Sequence, residues 1–390
     1  MLSAGIYLPV TLLAPVPPVA AQVQSAPART QPAAALDWPG FGSSAIGAIG
    51  FPGILASANG SGADMSPRSI ASITKVITSL VILNAKPLAL GEPGPTIVFG
   101  AHDASLVHAY MARNGETKPV REGMSLSQLQ VNEVMLIASA NNYAESYSSW
   151  AFGSQPAFLE AARSWLSAHG LTHTTLLDSS GMNPGNTSTA DDLVAIGKLA
   201  LANPVIARIV STTSVTIPYV GIVTNTNRLL GHNGVDGIKT GTLDEAGACL
   251  LFSSRFTVGD RKITLVGVVL GGTDHPSLNS AVRSLISTAK KGFHSVSLTT
   301  VGQSFARYST PWRSTVHAVA ESNHPVVVWA DTPITSKVTT KRTGLAEAGK
   351  QVGSVAFTVG TTKITVPLSL DRDIADPGIL WRLSNPLRLG

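Results

Sequence analysis

A serine and a lysine three residues apart, Ser72 and Lys75, stand at the mouth of an apolar run, "SIASITKVITSLVIL", from Ser69 to Leu83. Residues i and i+3 of a helix are neighbours, so one turn would set hydroxyl and amine side by side. A neutral amine there can take the hydroxyl's proton and make the oxygen a nucleophile. A free lysine is protonated at neutral pH, but burial and a second cation nearby would lower its pKa and make it a usable base. A serine at a helix start also aims backbone N–H groups and the positive dipole end at any anion formed there. Alone the pattern is weak, because two polar residues at the entry to a core helix look the same.

Two further stretches add weight. "SANNYAES" sets Ser139 and Asn141 directly after an apolar helix, in a helix-to-helix turn. "GIKTGTLDEAGACL" sets Lys239, Thr240, Gly241 and Thr242 at the head of a strand. Each has a plain alternative. Ser139 and Asn141 could cap the next helix, and Lys239-Thr240-Gly241 could be a strand entry followed by a tight turn. Those alternatives would all have to hold at once.

In the order SxxK, SxN, KTG, the chain resembles the penicillin-binding proteins. Among them it is most similar to the low-molecular-mass D-alanyl-D-alanine carboxypeptidases, the S11 serine peptidases. "DSSGMNPGNTSTADDL" from Asp178 and "TNTNRLLG" ahead of "VDGIKTGT" fit the same family, and the resemblance runs over residues 40–370. It implies a β-lactamase/transpeptidase-like domain followed by a small all-β domain. It implies that Ser72 attacks a peptide carbonyl and is acylated, with Lys75 as the base. Ser139 would relay a proton to the leaving amine, and Asn141 would hydrogen-bond Lys75 and the substrate amide. Lys239 would supply a fixed positive charge, with Thr240 and Thr242 offering hydroxyls to a terminal carboxylate. Gly241 would leave room for substrate along the strand edge, and the N–H groups of Ser72 and Thr242 would form the oxyanion hole.

The implied substrate is a peptidoglycan stem peptide ending in D-Ala-D-Ala, with β-lactams as covalent inhibitors and no metal or organic cofactor. The rivals are a class A-like β-lactamase, a DD-endopeptidase or transpeptidase, and an inactive wall-binding homologue. A β-lactamase needs a carboxylate over its deacylating water. Between Ser139 and Lys239 the glutamates are Glu145 and Glu160, neither with an obvious partner Asn. Asp178 and Asn183 read as loop-shaping residues.

The elements that must hold these groups follow from periodicity. "SAIGAIGFPGILASANG" reads as a hairpin turning at Pro52-Gly53. Helices are predicted after Pro67, over "LSQLQVNEVMLIAS", over "QPAFLEAARSWLSAHG" and over "TADDLVAIGKLALAN", the last with Thr189 as N-cap. "SVTIPYVGIVT", "GACLLFSSRFTV" and "RKITLVGVVLGG" read as strands, and "HPSLNSAVRSLISTAKKGF" as a helix. Helices flanked by strands from both ends of one unit make an α+β pattern on a mainly antiparallel sheet. After residue 300, short alternating stretches such as "QVGSVAFTVG" and "TKITVPLSL" read as strands.

The expected organisation is an apolar signal or anchor over 1–21, an Ala/Pro-rich linker over 22–39, the catalytic domain over 40–300, the all-β domain over 301–372 and a tail over 373–390. The first charged side chain is Arg29, which suits export and a location outside the cytoplasmic membrane, with a cleaved signal and a retained N-terminal anchor as equal alternatives. Pro9, Pro15, Pro17 and Pro18 would interrupt a spanning helix. The tail, "DPGILWRLSNPLRLG", is expected to pack on the all-β domain. The net charge of +5 comes without a basic stripe, which argues against nucleic acid. The single cysteine, Cys249, excludes an intrachain disulfide and reads as a buried strand thiol.

Overall fold

The computed structural model describes residues 2–24, 28–59 and 66–389. The chain divides into two compact units, Ala35–Lys290 and a second formed by Met1–Ala34 with Lys291–Gly390.

The first unit is built on a five-stranded antiparallel sheet. Its strand order is Val235–Leu243, Gly247–Val258, Arg261–Gly272, Ser43–Ala48, Ala56–Asn59. The chain's early hairpin thus joins the far side of a sheet made by its late meander. Val235–Leu243 lies at the sheet's end and pairs only with Gly247–Val258 within it, so its outer edge is not paired to a strand. Gly267 lies where a Cβ would come within 2.4 Å of the Phe252 ring, so the missing side chain gives that ring its room.

The helix Thr74–Ala85 is buried from Thr74 through Leu83, which explains an apolar sequence on every face. Gln128–Ile137 and Asn141–Phe152 follow each other across a tight turn, and Gln155–Ala168 packs beside them. Ala190–Ala202 lies on the sheet, and Gly197 allows the approach, since a Cβ there would meet Val266 at 2.7 Å. Thr189 caps that helix as expected, accepting from the Asp192 N–H at 3.2 Å. Asn203 ends it and caps Pro204–Ser211, accepting from the N–H groups of Val205 and Ile206. This short helix was not expected, nor was Ala101–Met111. "SVTIPYVGIVT" folds as two strands, Ser214–Ile217 and Gly221–Thr224, rather than one. Tyr219 at φ 63° and Gly221 at φ 87° make the turn between them.

The second unit holds a six-stranded antiparallel sheet, ordered Ala21–Val23, Ser304–Ser309, Thr315–Ala320, Thr362–Leu370, Gln351–Val359, Ile334–Thr340. Its core includes Phe305, Tyr308, Val316, Val355, Phe357 and Leu368. The expected linker over 22–39 is therefore partly a strand. Ala21–Val23 pairs with residues 306–308, and Arg29 bridges Ile334. A three-residue strand is too short for alternation to reveal, and it forms because an existing sheet edge supplies its backbone partners. Residues 25–27 of that linker lie outside the described residues. The expected boundary at residue 300 moves to 290, because Phe293–Ser297 pairs with Pro325–Trp329 inside the second unit.

The N-terminal segment forms the helix Leu2–Leu13, with Pro9 inside it. Its twelve residues span about 18 Å, short of the roughly 30 Å of a bilayer core. No single helix among the described residues is long and apolar enough to cross a membrane. The tail packs within this unit as expected. Trp381 meets Trp312 edge to face at 5.5 Å, the Tyr7 hydroxyl donates to Leu383 O, and the Arg382 guanidinium donates to Ala14 O.

Candidate active site

Ser72 lies in a 3-10 turn, Ala71–Ile73, that leads directly into the helix Thr74–Ala85. The three-residue spacing works as expected: Lys75 Nζ lies 2.8 Å from Ser72 Oγ. Ala71, just before Ser72, sits at φ 45°, a conformation costing about 1–3 kcal/mol for a residue with a side chain. That strain is held by what packs around it. Gly181 (φ 85°) approaches so closely that a Cβ there would lie 2.1 Å from Ala71 O. Gly241 comes from the other side, where a Cβ would stand 3.0 Å from Ile70 O and 3.4 Å from Ser72 N. The KTG segment is thus in contact with the nucleophile turn.

Lys75 is fully buried, and its second partner is the carbonyl of Ser180 at 2.5 Å. This corrects the expectation that Asn141 would hold the amine. The Ser180 carbonyl takes that place because Asp178 builds the loop around it. One Asp178 carboxylate oxygen accepts from the N–H groups of Ser180 (2.8 Å) and Gly181 (2.6 Å), the other from Asn183 (2.6 Å). Asn186 ties the loop to the nucleophile helix, donating to Thr74 Oγ1 and to Asp178. Asp178 and Asn183 shape the loop, as the sequence suggested.

Ser139 follows the helix Gln128–Ile137 at φ 60°, and Asn141 begins the next helix. Neither is a simple cap: the N-cap residue is Ala140, with no side-chain cap. Ser139 Oγ instead accepts from Lys239 Nζ at 3.0 Å. Asn141 is buried, and its Nδ2 has no partner. A buried amide donor left unpaired is costly, and a ligand carbonyl would satisfy it.

Burial disfavours the charge on both lysines. Burial holds Lys75 well below the usual lysine range, the nearby Lys239 lowers it further, and Asp178 and Glu116 oppose the shift. Burial pushes Lys239 down to about 7, again against Glu116. The charge on Lys239 is therefore not fixed near neutral pH. A bound carboxylate would raise its pKa and hold the proton in place.

All eight predicted residues border one cleft of about 540 Å³ or touch a residue that does: Ser72, Ser139, Asn141, Thr240, Gly241 and Thr242 line it, and Lys239 touches Ser139. Lys75 reaches it through Ser72. The Thr240 hydroxyl contacts Thr226 Oγ1 at 2.5 Å, and the Thr242 hydroxyl contacts His275 Nε2 at 2.6 Å. Arg113, Glu116, Thr226, Arg228, Asp244 and His275 share this cleft without having been predicted. Asp244 follows the KTG segment directly and Thr226 and Arg228 lie in the stretch ahead of it, whereas Arg113, Glu116 and His275 come from segments distant in sequence from the three motifs. The two glutamates weighed for a deacylating role are engaged elsewhere. Glu145 accepts from the Tyr110 hydroxyl at 2.6 Å, and Glu160 pairs with Arg163.

A buried serine–lysine pair, a second serine–lysine pair and an unpaired amide donor at a helix start meet at one cleft, and these are groups that acyl transfer can use. The fold is shared with known proteins. Similar solved structures include a peptidoglycan synthesis regulatory factor, PBP3, from Streptococcus pneumoniae (TM-score 0.62, 20% identity, 87% of this chain and 100% of that one). Penicillin binding protein 5 from Haemophilus influenzae is similar too (TM-score 0.61, 19% identity, 88% and 98%). The D-alanyl-D-alanine carboxypeptidase family profile matches residues 54–274, more than half of the chain, and the chain belongs to that family. Among curated relatives, it is 28% identical over 243 residues to D-alanyl-D-alanine carboxypeptidase DacA of Escherichia coli, covering 61% of this chain and 59% of DacA. A D-alanyl-D-alanine endopeptidase of Pseudomonas aeruginosa is 29% identical over 204 residues, covering 50% and 62%. The match thus spans less than two thirds of either relative.

Proposed function

We propose that this chain is a serine-type D-Ala-D-Ala carboxypeptidase. It removes the terminal D-alanine of peptidoglycan stem peptides through an acyl-enzyme on Ser72, outside the cytoplasmic membrane. The observation that carries this reading is the contact between Ser72 Oγ and a buried amine, Lys75, whose charged form is disfavoured by burial and by Lys239. Lys75 takes the hydroxyl proton as Ser72 attacks the carbonyl carbon. The N–H groups of Ser72 and Thr242 receive the oxyanion, each such donor being worth about 2.7–4 kcal/mol of barrier. Asn141 Nδ2 donates to the substrate amide carbonyl. Ser139, held by Lys239, passes its proton to the departing D-alanine nitrogen and takes back the one Lys75 received, which leaves Lys75 neutral. Water then attacks the ester, and Ser72 leaves with its proton restored. Lys239, Thr240 and Thr242 hold the terminal carboxylate. β-Lactams would be trapped at the ester stage.

Cleavage of cross-links is the second reading, favoured by the similarity to proteins named endopeptidases. Labelling with a fluorescent penicillin, read beside D-alanine release from a stem-peptide analogue, tests the proposal. Wild type should do both, and Ser72→Ala should lose both by about 10⁴-fold or more. Labelling that survives in Ser72→Ala would point to another nucleophile. Labelling without D-alanine release would favour a cross-linking or binding role.

A further inference from the structure

His275 was not singled out by any motif, yet its ring stands against the KTG segment. It opens the helix His275–Lys291, is half-buried, lines the cleft with Ser72 and Thr242, and brings Nε2 to 2.6 Å from Thr242 Oγ1. We infer that His275, through Thr242, makes the site's selection of the substrate C-terminus depend on pH. The imidazolium favours peptides ending in a free carboxylate, and the neutral ring admits peptides whose last residue is an amide. The inference rests on the acyl-transfer reading and deepens it, because it names what selects the group at the substrate's C-terminus, beyond the scissile amide.

The chemistry is a reversal of one hydrogen bond. In the neutral ring with its proton on Nδ1, Nε2 accepts, so the Thr242 O–H is turned toward the histidine and away from the cleft. In the imidazolium, Nε2–H donates to Thr242 Oγ1. The hydroxyl proton is then released to point at a ligand oxygen, and a positive charge is added beside it. Both changes favour a carboxylate, and neither is needed by an amide. A carboxylate receiving such a charge-assisted donor gains about tenfold in affinity at a partly exposed site.

Other charged groups surround the ring. Burial and Lys239 on the neighbouring strand lower the His275 pKa, and Asp274, just before the helix, raises it. Asp274 itself accepts from the Ser277 N–H at 2.7 Å. Arg113, Glu116, Arg228 and Asp244 complete the charged lining of the cleft. The net direction is down, so the ring is neutral at pH 7 and charges as pH falls. The window closes at the acid end near about pH 3.5, where the peptide carboxylate itself protonates. Lys239 also gains charge as pH falls and adds its own dependence, so the histidine's share is the part that a histidine substitution removes.

Two measurements separate this inference from its parent. Equilibrium binding of a D-Ala-D-Ala peptide and of its C-terminal amide is measured by calorimetry at about pH 5.5 and 7.5. The proteins are Ser72→Ala and the double variant Ser72→Ala/His275→Gln, neither of which can turn over. The acid-to-amide affinity ratio in Ser72→Ala should rise by about tenfold more on acidification than it does in the double variant. Ser72→Ala/His275→Arg should hold the high ratio at both pH values. An equal rise with and without His275, or no binding of either peptide, overturns the inference. D-alanine release by the wild type from the same two peptides tests the carboxypeptidase reading on its own. Release can fail while the pH-dependent binding stands, and the converse is also true.

Discussion

The two units of this chain use their interiors differently. In Ala35–Lys290 the buried polar residues include Lys75, Lys239, Asn132, Asn141 and Asn186, and several buried side-chain atoms there have no hydrogen-bond partner. In the second unit the buried polar residues are chiefly threonines and a serine, with Arg382 at the edge, and the core between them is apolar. Two amines withheld from water and a backbone forced into positive φ at Ala71 and Ser139 are expensive features. Among the described residues the second unit also has positive φ, at Arg313 and Ala330, but no buried lysine. A region that stores unfavourable groups around one cleft is organised for chemistry, and a region that alternates apolar and polar residues along strands is organised for stability.

The largest effect is expected at Lys75. Lys75→Met keeps the length of the side chain and removes the amine. Penicillin acylation should fall by about 10²–10⁴-fold, the range of a lost general base. The melting temperature should stay level or rise, because a buried amine is replaced by an apolar group of similar size. A variant that loses stability along with activity would show the amine to be structural.

Gly181→Ala is next. The new methyl group would collide with Ala71 O, and φ 85° disfavours any side chain. Displacement of the nucleophile turn should slow acylation by about 10²-fold in stopped-flow labelling, the cost of roughly 1 Å of misplacement.

Glu116→Gln sharpens the electrostatics. Glu116 raises the pKa of both lysines, so its loss lowers both. Acylation requires neutral Lys75, and its rising acid limb should move to lower pH. Carboxylate capture requires charged Lys239, so the falling alkaline limb, set near 7, should move down as well. Each limb should shift by less than about one pH unit, since the carboxylate is exposed and screened. A profile that moves upward would contradict the charge assignment.

The smallest effect on chemistry belongs to the other unit. Leu368→Ala removes a fully buried side chain from the all-β core and should cost about 2–5 kcal/mol of that unit's stability, read by denaturant unfolding. The acylation rate below the transition should not change. A matching loss of acylation would show that the units do not act independently.

How legible these features were depends on their range. The SxxK pair could be read because both residues share one helical turn, and the all-β strands because alternation is local. Asp178 could be placed in a loop but not beneath Lys75. The link between them is a Ser180 carbonyl that carries no side-chain signature. The Ala21–Val23 strand was hidden because its partner lies almost three hundred residues away in the chain. His275 was invisible for the same reason: a histidine at a helix start acquires its role only when the KTG strand is laid beside it.

By itself, the sequence determined the chemical groups, their order, the helices and strands that carry them and the family to which they belong, because side-chain type and short periodicity are properties of neighbouring residues. Only the tertiary structure decided which carbonyl holds the base, that Lys239 is buried enough to lose its constant charge, and which histidine meets Thr242. Those outcomes depend on desolvation and on contacts between distant segments, and neither exists until the chain has packed.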